Sequence, residues 1–161
     1  MPAEISSDHV WSLIRKQAFC VVGFVTPRGK ARTAGVIYTV RGRRIYFGTE
    51  TTAWKTRHLQ RNPSISITVP VPTWASSIPG LRMPPATITM AGTAQVLARE
   101  ETPPDIAEEL MGKLEPRDEL LAACSIVEVT LAGDFLTYGI GVSLRTMLRP
   151  RDASGRAAVD A

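Results

Sequence analysis

Two short connections constrain this chain more than any other feature. The β-prone run Phe19–Val25 leads across Thr26–Lys30 into a second run over 31–40, and this leads across Arg41–Arg43 into a third, Arg44–Gly48. A parallel crossover needs roughly a dozen residues or more. These turns have five and three, so the three strands must be antiparallel neighbours. Ser64–Val69 then alternates Ser, Ile, Ser, Ile, Thr, Val, the period of a half-buried strand. Ala86–Ala98, Ser125–Ala132 and Phe135–Val142 read as further strands, with Gly133-Asp134 as the turn between the last two. Six to seven antiparallel strands with few helices argue for a mainly β fold with peripheral helices. The expected form is a closed or nearly closed barrel, not a doubly wound sheet.

The helices are few. Ser7–Gln17 carries Val10, Trp11, Leu13 and Ile14 at helical spacing, with Ser6, Ser7 or Asp8 as cap. Glu101–Leu114 reads as a helix begun by Thr102, Pro103 and Pro104, with Ile106, Leu110, Met111 and Leu114 on one face. Glu115-Pro116 breaks it, and a short helical turn is expected through Ala123. The loop Pro70–Pro85 holds five prolines together with Trp74, Ile78, Leu81 and Met83, so it should pack on the barrel or on a partner chain. Residues 1–150 form the expected single domain; 151–161 lack periodicity and read as a loosely ordered tail.

Composition narrows the setting. At 161 residues and 44% apolar content the chain can bury a real core. No apolar run approaches the ~20 residues of a membrane span. The first residues lack the apolar centre of a signal peptide, so the expected location is cytoplasmic, with no membrane partner. Cys20 and Cys124 sit in apolar strand contexts and read as free thiols. No Cys/His cluster has metal-ligand spacing, and no pair of carboxylates stands out for acid–base work. Catalytic residues are therefore not assignable from sequence.

The chemistry is concentrated between Arg43 and Val69. Here a strand, a Thr-rich turn, a basic helix over Trp54–Gln60, an Asn62-Pro63 stop and another strand follow in order. Thr49, Thr51 and Thr52 are each candidate N-caps. Hydroxyls, free N–H groups, Lys55 and Arg57 should therefore crowd around one helix start, which favours an anion. Nine of the chain's 19 basic residues, and one of its 15 acids, lie between Arg28 and Arg61. That field suits a small polyanion or a nucleic acid. A capped helix with a solvated basic face would carry the same residues. His58 reads as an exposed helix histidine and Trp54 as a packing residue. Tyr138-Gly139-Ile140-Gly141-Val142 lacks the third glycine of a dinucleotide fingerprint.

In their order and spacing these segments resemble the flavin-binding split barrels of the pyridoxamine 5'-phosphate oxidase-like superfamily. The matching stretches are Phe19–Val25, Pro27–Lys30, Ala31–Tyr38, Ile45–Phe47, Thr49–Lys55, Arg57–Leu59, Asn62-Pro63 and the Gly92-containing strand Ile88–Val96. The resemblance implies a split β-barrel and an FMN cofactor, with the deazaflavin coenzyme F-420 as the alternative. It implies that Lys55, with Thr49, Thr51 or Thr52, holds the cofactor phosphate, and that Arg57 is a second candidate. Thr33, Gly35, Val36 and Ile37 would lie along the isoalloxazine ring, partly through backbone groups. Residues near Tyr138 would close the pocket, from the same chain or from a second subunit, in a homodimer with interfacial sites. The Arg-Leu-x-Pro ending of true pyridoxamine 5'-phosphate oxidases is missing; this chain ends Arg156–Ala161. The expected function is that of a flavin-dependent oxidoreductase acting on a small molecule. A non-catalytic flavin carrier or sensor would use the same binding residues. A nucleic-acid binder is the third class, but the basic segment lacks interleaved aromatics and helix-turn-helix spacing.

Overall fold

The computed structural model describes residues 3–80, 83–111, 119 and 122–160. The expectations for Leu81, for Leu114, for Glu115-Pro116 and for most of the turn before Ala123 lie outside these residues. The described residues form eight strands: β1 (Ala3–Glu4), β2 (Phe19–Val25), β3 (Ala31–Arg41), β4 (Arg44–Glu50), β5 (Ser64–Val71), β6 (Ala86–Leu97), β7 (Cys124–Tyr138) and β8 (Ser154–Ala158). The helices are α1 (Ser7–Lys16), α2 (Trp54–Arg61), α3 (Pro104–Met111), α4 (Leu144–Met147) and α5 (Pro150–Ala153).

The expected short turns do produce antiparallel neighbours. Going round the wall, β2, β3, β4, β7, β6 and β5 pair in that order and β5 returns to β2, every pair antiparallel. This closed six-stranded barrel is the split-barrel fold that the sequence suggests. Alternate residues such as Val22, Phe47, Ile67, Ile88 and Val127 fill it. Trp11 of α1 packs edge-on against Phe135 at 5.4 Å between ring centroids. α1 starts as expected from Ser6, whose hydroxyl accepts the N–H of His9. Both cysteines are free, and Cys20 is buried in the core, where loss of solvation pushes its thiol up to about 12.

α3 forms an outer layer on the wall. Its Ile106 and Leu110 meet Tyr46, Leu97 and Ile126 on the outer face of β4, β6 and β7. Glu109 ties the helix down by accepting the Thr39 hydroxyl at 2.7 Å and pairing with Arg41, which also meets Asp105 at 3.1 Å. The Thr39 hydrogen bond, and then Arg41, hold the Glu109 carboxyl below its ordinary range. The helix begins later than the sequence suggests, because Arg99–Glu101 is a separate 3₁₀ turn.

Three expectations fail. Gly133-Asp134 is no hairpin turn: β7 runs through it as one strand, and Gly133, at φ 78°, sits where the register against β6 shifts. The expected strand over 135–142 stops at Tyr138, because Gly139 and Gly141 take positive φ and turn the chain. The C-terminal segment is not loose. β8 pairs with the later half of β7, just beyond the part that β4 occupies, and with β1 in parallel. Val159 is fully buried, and its carbonyl accepts from Ser7 Oγ at 3.0 Å, Arg43 Nη1 at 3.1 Å and Trp11 Nε1 at 3.4 Å.

Candidate functional site at the barrel split

The pairing of β3 with β4 covers only one end of the two strands. β3 and β4 pair only from Tyr38↔Phe47 to Arg41↔Arg44. Beyond that point residues 31–37 of β3 still pair with β2, but their other edge has no strand beside it among the described residues. β4 runs on through Gly48, Thr49 and Glu50, which pair only with β7. The unpaired edge offers backbone donors and acceptors to anything that enters the split. Thr33, Gly35 and Ile37 share its outer, exposed face; Val36 points inward and is buried. A Cβ on Gly35 would lie 2.8 Å from the Phe19 ring, so the absent side chain keeps this face low.

β4 delivers the chain directly into the start of α2. None of the three threonines caps it. The N-cap position falls on Ala53, which makes no side-chain cap bond. Thr49 is buried, with its hydroxyl 3.3 Å from that of Thr56. Thr51 bonds to Ser125 at 3.0 Å and Thr52 to Glu50 at 3.2 Å. Thr56 donates to the Glu50 carbonyl at 2.8 Å, which secures the helix from within. The N–H groups of Trp54 and Lys55 are left with no partner among the described residues. Lys55 is half-buried at this opening, and Arg57 is exposed.

The surroundings are aromatic and cationic. Trp54 packs on Phe24 and on His58, each at 5.4 Å, yet remains 45% exposed. His58 is not the free surface residue expected; it is half-buried in this cluster, and its Nδ1 is buried without a partner. Arg28, Lys30, Arg32, Lys55 and Arg57 form no ion pair among the described residues, whereas Arg41, Arg43 and Arg44 do. Tyr138 is at the other end of the barrel. It pairs with Thr87 at the start of β6, and its hydroxyl donates to the Met147 carbonyl at 2.5 Å. Within one chain the structure brings Lys55, Thr51 and Thr52 to the same end as β3 residues 31–37, and leaves Tyr138 apart.

Sequence reasoning missed Ala53 as the cap position, since nothing local says where β4 ends. It also missed a cleft of about 760 Å³ under α3, to which Thr51, Arg99, Cys124 and Ser125 contribute. Burial, and then Glu50, raise the Cys124 thiol above its ordinary value. Among the described residues no helix is long and apolar enough to cross a membrane.

Comparison with known proteins agrees with this architecture. The family model described as pyridoxamine 5'-phosphate oxidase matches residues 6–132. A heme binding protein from Mycobacterium smegmatis superposes with a TM-score of 0.70 at 13% identity, over 99% of this chain and 60% of its own. An F-420 reductase superposes at 0.55 and 18% identity, over 77% of this chain and 93% of its own. A FAD-binding protein from Mesorhizobium loti does so at 0.59 and 11% identity, over 79% and 90%. At such identities the likeness is one of fold. No curated protein matches this chain.

Proposed function

The chain belongs to the pyridoxamine 5'-phosphate oxidase family, and on that footing we propose that it binds a flavin nucleotide, FMN, and acts as a flavin-dependent oxidoreductase on a small molecule. One observation carries this reading: the uncapped start of α2, with Lys55, lies at the same end of the barrel as the unpaired edge of β3. A phosphate needs donors and positive charge, and the two free N–H groups with Lys55 supply both. Thr51 and Thr52 stand beside them, and Arg57 is a further cation. Thr49 is buried and supports Thr56 rather than reaching a phosphate. A flat ring needs an open face and edge partners, and Thr33, Gly35 and Ile37 offer both, while Val36 offers only its backbone.

When bound, the flavin supplies the hydride chemistry, and the chain supplies binding, orientation and shielding from water. A carrier or sensor without turnover would use the same residues. Phe19, Ile37 and Trp74 are large apolar side chains left exposed, Trp74 at 71%. Another copy of the chain covering them would form a homodimer and bring its own Tyr138 toward the ring. A cytoplasmic location belongs to the same reading.

The deazaflavin F-420 is the alternative reading, favoured by the unpaired Arg28, Lys30 and Arg32, which suit a longer anionic tail. The test is titration of the purified protein with FMN and with F-420, followed by absorbance, with sedimentation on the same samples. Stoichiometric binding of one of them by a dimer is the expected result. A protein that takes up neither, or that isolates with a haem spectrum instead, would sink the reading.

A further inference from the structure

The cleft under α3 lies outside the barrel and away from the core. Its volume of about 760 Å³ falls within the roughly 300–1,000 Å³ of small-molecule sites. Leu97 and Ile126, members of the outer apolar cluster, line its floor, and Ala107 of α3 contributes to the wall. Thr51 and Ser125, bonded to each other, stand at its rim with Arg99. Arg99 has no acidic partner among the described residues. The cleft's carboxylate, Glu108, has a partner of its own.

The cleft shares one residue, Thr51, with the turn that leads into α2. Ile126 pairs with Gly48, so the floor lies on the outer side of the wall, the side on which Thr33, Gly35 and Ile37 are exposed.

We propose that this cleft is a small-molecule site separate from the ring-facing edge of β3, and that it takes a small, mainly apolar molecule bearing one anionic group. The apolar body lies on Leu97, Ile126 and Ala107, and the anion meets the unpaired guanidinium of Arg99. No residue of β3 lines the cleft, so the site does not depend on the flavin reading.

The probe is 1-anilinonaphthalene-8-sulfonate, an apolar aromatic body with one sulfonate, titrated by fluorescence into the whole chain. Saturable binding of one probe per chain is expected. Arg99→Gln should weaken it about tenfold, the size of one charge-assisted hydrogen bond. Ala107→Trp should fill the cleft and remove saturable binding, with the unfolding midpoint and the FMN titration of both variants unchanged. If wild type shows no saturable binding, or if Arg99→Gln binds as wild type does, the proposal is overturned. Failure of FMN to bind, with the probe still saturating, would remove the flavin reading and leave this site.

Discussion

The C-terminal segment and the start of α2 are opposites in how their polar groups are satisfied. At Val159 three side-chain donors converge on one carbonyl, and the residue's own N–H donates to Gly133. At Trp54 and Lys55 two adjacent N–H groups find no partner among the described residues. The C-terminal segment has a sequence without periodicity and yet closes the fold. The start of α2 has three threonines able to cap it and yet stays open. Saturated hydrogen bonding marks where the chain gains stability, and unsaturated hydrogen bonding marks where it can hold something else.

The strongest way to test the stability half of this contrast is to end the chain after Ala153. That removes β8 and the buried Val159, worth about 1.5–3 kcal/mol for a large apolar side chain. It also strips the partner from the buried Ser7 and Trp11 donors, at about 1–3 kcal/mol for an unsatisfied group. The expected loss is about 3.5–9 kcal/mol, and a fall of roughly 10 °C or more in the unfolding midpoint by calorimetry. A midpoint equal to that of the full chain would show that the segment only decorates the barrel.

Another change sets the two regions' logic against each other at one residue. Ala53 occupies the N-cap with extended backbone, φ −61° and ψ 143°. Ala53→Asp should cap α2 and raise stability by about 0.5–2 kcal/mol. The same carboxylate would take the free N–H groups and repel a phosphate, so flavin affinity should fall by about tenfold, roughly the 1.4 kcal/mol of one lost interaction. Stability and affinity moving together, in thermal unfolding and FMN titration, would break the comparison.

The smallest effect lies in the ties of α3. The Glu109 carboxyl is held low in the folded chain by the Thr39 hydroxyl and by Arg41. Its contribution is therefore present above the unfolded value of about 4.3 and is lost as pH falls through the folded one. Both partners of the ion pair are nearly half exposed, so the amount is about 0–1 kcal/mol. Glu109→Gln should lower the unfolding midpoint slightly at neutral pH and leave it less sensitive to acid below about pH 4. An acid profile identical to that of wild type would count against the tie.

The barrel was legible because its signals are local. Alternation in Ser64–Val69 and the short turns at Thr26–Lys30 and Arg41–Arg43 each fix a neighbour without reference to the rest of the chain. β8 was not legible. Ser154-Gly155-Arg156-Ala157-Ala158 is a poor strand sequence, made a strand by the free half of β7 and by donors on α1 and from Arg43. Gly133-Asp134 carries hairpin chemistry but is used as an irregularity inside β7, because β6 and β8 hold that strand on both edges. At the site, the basic helix and Lys55 were readable, and the missing cap was not, since it depends on β4 continuing to Glu50. The cleft could not be read at all: Thr51, Leu97, Ala107 and Ile126 are scattered through the sequence and meet only once α3 lies on the outer wall.

The claim that the open end of α2 holds a cofactor phosphate is tested most directly by Lys55→Ala beside Arg61→Ala, each titrated with FMN and F-420. A charge-assisted hydrogen bond of about 1.5–3 kcal/mol predicts a loss of roughly tenfold to a hundredfold for Lys55→Ala, with stability within about ±0.5 kcal/mol of wild type. Arg61, the last residue of α2, should lose much less. Equal losses in the two variants would mean that the basic segment acts only as a diffuse field, and would contradict the assignment of the phosphate to this helix start.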